Sequence, residues 1–190
     1  MPEFATVPGR ASAILGHVED GMDWATVLDD RTGWLLPGVH EVEMEDVYRE
    51  FAADGGSDRR TAWLALEQLL THLKELFPSG RLLLAGTFVS RQGGPCEALE
   101  VAIIPDEPSA MEHWSDNEEH RFQLCMSLHD VIVASLGPEY FEVLHPFGGR
   151  MESYFVVPKD ADQVVMWMGT VTLPTGDDVP GYRGVVEVVW

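Results

Sequence analysis

Cysteine is nearly absent. Cys96 and Cys125 stand alone in 190 residues, which excludes a disulfide framework and a cysteine-built zinc site. Positive charge is also scarce: 12 Lys and Arg face 32 Asp and Glu, for a formal charge of -20. Proteins that hold a nucleic-acid backbone do so by displacing counterions with Lys and Arg. The imbalance therefore argues against direct nucleic-acid binding and against anionic membrane. No stretch approaches the roughly 18 apolar residues that a bilayer span requires. The N-terminus has neither the basic region nor the unbroken apolar core of a secretory signal. A soluble cytoplasmic protein is expected. Its acid excess suits divalent cations, a basic protein partner, or a surface that imitates nucleic acid.

What is present is enough for one core. A hydrophobic share of 45% over this length fits a single well-packed domain. Its organising stretch is Arg81 to Ile104, RLLLAGTFVSRQGGPCEALEVAII. Leu82, Leu83 and Leu84 read as a buried strand, Gly86-Thr87 as a tight exit, and Leu99 to Ile104 as a second strand reached through a Gly- and Pro-containing loop.

Around this centre, residues 1–33 read as an N-terminal extension with little regular structure. The exception is Asp23 to Asp29, where Trp24, Val27 and Leu28 share helical spacing and would dock on the domain. Pro37-Gly38 marks a turn. His40 and Glu41 then fall in a lead-in to a helix over Glu43 to Ala53, with hydrogen bonding pinning the segment. Ser57 caps a longer helix to about Phe77, whose stripe of Ala62, Leu66, Leu69, Leu70, Leu73, Leu76 and Phe77 predicts that it lies across the sheet.

The span from Glu97 to Glu119 holds eight acids and no Lys or Arg, so it is expected to be exposed. Ser115 with Glu118 forms a capping box opening a helix to about Leu136, with Cys125 facing the core. Strands are expected from Tyr140, at Phe155 to Val157 and at Val185 to Val189, with a short helix from Asp160 through Met168. His113, His120 and His129 lack the spacing of zinc ligands on one helix face.

The strand, Gly-hydroxyl turn and second strand resemble the minimal nucleotidyltransferase fold. With the flanking WLLPGVHEVEMEDVYREF and GYRGVVEVVW, the chain resembles an uncharacterised bacterial family of nucleotidyltransferase-like proteins. In that family a Leu-Pro-Gly-Val-His-Glu type of opening and an Arg-Gly-Val type of ending frame the core, and the resemblance covers 34–190. It implies an α+β fold, a small mixed sheet flanked by helices.

The resemblance further implies that Gly86 and Thr87 hold nucleotide phosphates, with Arg91 as a further phosphate contact. Active members carry two Asp at i and i+2 of the second strand, which places both on one face to bind magnesium. That pair is missing here. Glu97 and Glu100 are the nearest substitutes: if Glu100 replaces the second Asp then Ala98 stands where the first should be, and if Glu97 replaces the first then Leu99 stands where the second should be. Glu142, in the strand from Tyr140, is the candidate for the third carboxylate that the fold sets on a neighbouring strand. Glu97, Glu100 and Glu142 are thus both the catalytic and the metal candidates.

The function expected is a non-catalytic nucleotide- or partner-binding module with a degenerate metal site, such as half of a defence or toxin and antitoxin pair. Its alternatives are an active, magnesium-dependent nucleotidyltransferase moving a nucleoside monophosphate from an NTP to a hydroxyl, and an acidic DNA mimic.

Overall fold

A computed structural model describes residues 21–92, 96, 99–132, 141–144, 146–172 and 175–190, with side chains left aside at 128–132 and 141–144. Helix α1 (Trp24–Val27) is capped by the Asp23 side chain, which accepts from the Ala25 N–H. Trp24, Val27 and Leu28 are buried in the same core as the long helix that follows, so this piece of the expected extension does dock on the domain. Strand β1 (Val39–Glu41) leads to α2 (Met44–Val47), which continues as one π-helical stretch through Ala52.

Helix α3 (Gly56–Leu76) is capped at Gly55, two residues before the expected Ser57 cap, with no side-chain hydrogen bond. Packing explains the glycine: a Cβ there would come within 2.4 Å of the Arg59 side chain and 2.5 Å of the Phe51 carbonyl oxygen. The predicted stripe is buried as expected at Ala62, Leu66, Leu69, Leu73, Leu76 and Phe77. Each large side chain in it contributes on the order of 1.5–3 kcal/mol before chain entropy is subtracted.

The two central strands form as read: β2 (Gly80–Ala85) and β3 (Leu99–Pro105) pair antiparallel, with Leu84 opposite Val101. Helix α4 (Asp116–Gln123) carries the expected capping box, in which Ser115 Oγ accepts from the Glu118 N–H and the Glu118 carboxylate accepts from the Ser115 N–H. It stops far short of Leu136. The chain instead turns to cover a sheet edge: Ser153 Oγ donates to the Cys125 carbonyl, the Ser127 N–H donates to the Ser153 carbonyl at 3.1 Å, and the Ser153 N–H donates to Ser127 Oγ at 3.0 Å. An edge strand needs such partners for its unpaired backbone, and that need ends the helix. Cys125 is buried as predicted, and burial pushes its thiol up to about 11.

Beyond this cover, β4 (Leu128–Ile132) and β5 (Phe141–Leu144) form a separate two-stranded sheet. An irregular turn α5 (Pro146–Gly149), with Phe147 and Gly148 in left-handed backbone, reaches β6 (Met151–Phe155). The strand expected at Phe155 to Val157 thus lies earlier. Helix α6 (Ala161–Met168) and the small hairpin of β7 (Val171–Thr172) and β8 (Asp178–Val179) precede β9 (Val185–Val189).

The main sheet has the order β1-β9-β2-β3-β6. β1 runs parallel to β9, β9 antiparallel to β2, and β3 parallel to β6. The molecule is a mixed α+β protein. One sheet face, with Leu82, Leu84, Leu99, Val101, Ile103, Met151, Val186 and Val188, packs with α3; the other, with Leu83, Ala85, Ala102, Ile104 and Val185, packs with α6. Period-two alternation along each strand separates the two sets.

Candidate functional site

The turn after β2 is built around Gly86, at φ 81° and ψ -171°, a backbone conformation open essentially only to glycine. Thr87–Val89 form one 3-10 turn with Phe88 and Val89 buried. Arg59, in the first turn of α3, holds it from below. Its guanidinium donates to the Thr87 and Ser90 carbonyls at 2.9 Å each and to the Phe88 carbonyl. Ser90 Oγ closes the turn on the Thr87 carbonyl at 2.8 Å.

The Thr87 hydroxyl itself is buried and makes no hydrogen bond of ordinary geometry among the described residues. It acts on the Cys96 thiol, which burial pushes up and which Arg59, Thr87 and Arg150 partly restrain. Arg91 leaves the turn and is tied to Glu50, Nε to Oε1 at 2.6 Å, a partnership that raises its already high pKa. Arg59 thus contacts this turn and Arg91 leaves from it, paired with Glu50, while Arg150 is paired with Asp58 at 3.7 Å.

Glu100 sits at the start of β3, opposite Ala85 at the end of β2 and beside Glu152 of β6 in the parallel register. Its carboxylate is gripped by Arg183, with Nη2 at 3.1 Å and 3.2 Å from the two oxygens. Arg183 is itself fixed at both ends: Nε donates to the Met168 carbonyl at 3.1 Å, and the guanidinium lies 4.7 Å above the Trp34 ring. Burial pushes the Glu100 carboxyl up, Arg183 pulls it down, and the Glu152 charge adds to the upward push, leaving it above the ordinary value. Tyr154, two residues along β6 on the same face, is also pushed upward by burial and by the Glu152 carboxylate. Its ring meets Trp167 edge-on at 4.8 Å.

The sequence candidates are therefore spread over different surroundings. Gly86, Thr87 and Arg91 share one turn, and Glu100 lies at the strand end next to it. Glu97 lies outside the described residues. Glu142 lies in β5, within the two-stranded sheet, so its strand does not neighbour β3. The strand that does is β6, and its acid is Glu152.

Sequence reading passed over Glu152 because the strand was set four residues late. The alternation Met151-Glu152-Ser153-Tyr154-Phe155 was the available signal, with one acid between two buried neighbours. Arg183 was within the noted Arg-Gly-Val ending, but nothing local announced its partner 83 residues away. Among the described residues no three His, Cys, Asp or Glu side chains converge as metal ligands. With Glu100 engaged by Arg183, the described donors do not fit a magnesium site.

The two framing motifs meet in space. The Gly184 N–H donates to the Leu35 carbonyl at 2.9 Å and the Val185 N–H to the Gly38 carbonyl at 3.0 Å, starting the β1–β9 pair. His40 Nε2 donates to the Leu36 carbonyl at 2.7 Å, so it pins the segment as expected, although within a strand. No curated protein and no solved structure matches the chain. Residues 27–170 match a family of unknown function, DUF6932, and since that span is well over half of the chain, the protein belongs to this family.

Proposed function

We propose that the protein is a nucleotidyltransferase-like scaffold working as a non-catalytic nucleotide- or partner-binding module, of the kind that serves in a defence or toxin and antitoxin pair. The observation that carries the reading is the Glu100–Arg183 pair. In this reading Glu100 takes the position of one ion-binding Asp, yet it holds a guanidinium, with Ala98 at i-2 in place of a second acid. Further support comes from the antiparallel-then-parallel order β2-β3-β6.

Isothermal titration with ATP, GTP, CTP and UTP, with and without a chelator, tests this. Binding of at least one nucleotide, unaffected by chelation and without transfer of an α-phosphate label to any acceptor, is expected. No heat from any of the four removes the nucleotide reading, and label transfer removes the non-catalytic one.

A second reading is favoured by one specific observation, the registration of Glu100 beside Glu152 on one sheet face. Two carboxylates placed this way suit an active nucleotidyltransferase if Arg183 moves aside. In that case label transfer requires magnesium or manganese and is lost in Glu152→Gln.

A further inference from the structure

A cavity of about 420 Å³ opens beside Trp34, between the 29–37 segment and the 179–182 segment. That volume lies in the range of small-molecule sites. Trp34 and Tyr182 supply aromatic surface, Pro37 and Pro180 supply further apolar wall, and Asp29 and Thr32 supply the polar groups.

The wall is built in advance. Asp29 Oδ1 accepts from the Arg31 N–H at 2.8 Å and the Thr32 N–H at 3.0 Å, the Asp29 N–H donates to the Trp34 carbonyl at 2.8 Å, and Arg183 lies over the Trp34 indole. Those backbone donors hold the Asp29 carboxyl below its ordinary range, so at neutral pH it is an acceptor only. The cavity wall is also joined to the Gly86 turn: the Arg91 N–H donates to the Gly33 carbonyl at 2.8 Å, and Gln92 Nε2 donates to the Thr32 carbonyl at 3.1 Å.

We propose that this cavity is a nucleobase slot that favours guanine. Aromatic side chains take the flat faces of any base, while a fixed carboxylate selects a base edge that donates. Guanine presents a ring N–H and an amino group side by side on one edge, and both can donate to Asp29 Oδ2, the carboxylate oxygen that takes neither backbone bond. Hypoxanthine keeps the ring N–H and lacks the amino group, and adenine offers an amino group beside a ring acceptor. The proposal rests on the nucleotide-binding reading above, since it places the base next to the turn that the resemblance assigns to phosphates.

Calorimetric titration of the full chain with guanosine, inosine, adenosine and GTP separates the two. Guanosine is expected to bind at least tenfold more tightly than inosine or adenosine. Asp29→Asn should abolish that preference, and Tyr182→Ala, at a residue 39% exposed, should weaken guanosine at least tenfold with unfolding temperature unchanged.

GTP binding without guanosine binding overturns the slot and leaves the phosphate reading standing. Equal affinity for guanosine and GTP supports the slot and removes the phosphate role of Gly86 and Thr87. Guanosine binding unchanged in both variants, or no heat from guanosine, overturns the proposal.

Discussion

The two faces of the central sheet are made from the same strands and have opposite character. Toward α3, β2, β3, β6 and β9 present Leu, Val, Ile and Met with a single serine, Ser153, and nearly all are fully buried. Toward α6 the same strands present Arg81, Glu100, Glu152, Tyr154 and Glu187 among apolar residues. Burying charge carries a desolvation cost that packing does not return, so a fold needing only stability would not place acids on its central strands. The α3 face therefore accounts for most of the stability, whereas the α6 face carries paired charges, Glu100 with Arg183 and Glu187 with Arg81.

Removing bulk from the first face should do the most damage. Leu84→Ala is expected to cost about 3 kcal/mol, read as a lower urea midpoint with an unchanged slope. Next comes the second face, where Arg183→Met leaves Glu100 without its partner. The two side chains are 12% and 28% exposed, so about 2 kcal/mol is expected, below the figure for a fully buried pair. A loss as large as that at Leu84 would make Arg183 as structural as the core and blur the contrast.

Ser153→Ala tests the exception on the apolar face. It leaves the Cys125 carbonyl short of a donor and should cost about 1 kcal/mol; no cost would mean that the edge cover is held by the two bonds between Ser127 and the Ser153 backbone. The smallest effect is a slope against pH. Glu100 in the folded chain holds its proton to a higher pH than the ordinary 4.5. Across the interval just above that value the folded state therefore binds more protons than the unfolded one, and this group's contribution to stability falls as pH rises. Wild type should lose stability relative to Glu100→Gln through this interval and run parallel to it above. A flat difference would show that Arg183 fully offsets burial.

Legibility in the sequence followed the range of the interactions. The α3 stripe, the β2 and β3 runs, the Ser115–Glu118 capping box and β9 were readable because each is fixed by neighbours a few residues away. The end of α4 was not, since it is set by Ser153, whose hydroxyl donates to the Cys125 carbonyl 28 residues away. The site divides the same way. Gly86 was visible as a turn glycine and Glu100 as an acid at a strand start. The meeting of Glu100 with Glu152 and Arg183 depends on β6 and β9 arriving from distant parts of the chain, which no local pattern records.

Strand β9 lies between β1 and β2, pairing Leu82 with Val188, roughly a hundred residues downstream. The sheet therefore cannot close by local zippering: both flanking edges stay open until this segment inserts. Distant pairing of this kind slows folding and exposes intermediates to association. During synthesis, β1 and β2 wait on the ribosome with unpaired backbone, and a chain shortened before Val185 keeps both edges sticky. The production of this protein in cells thus depends on how quickly its closing strand follows.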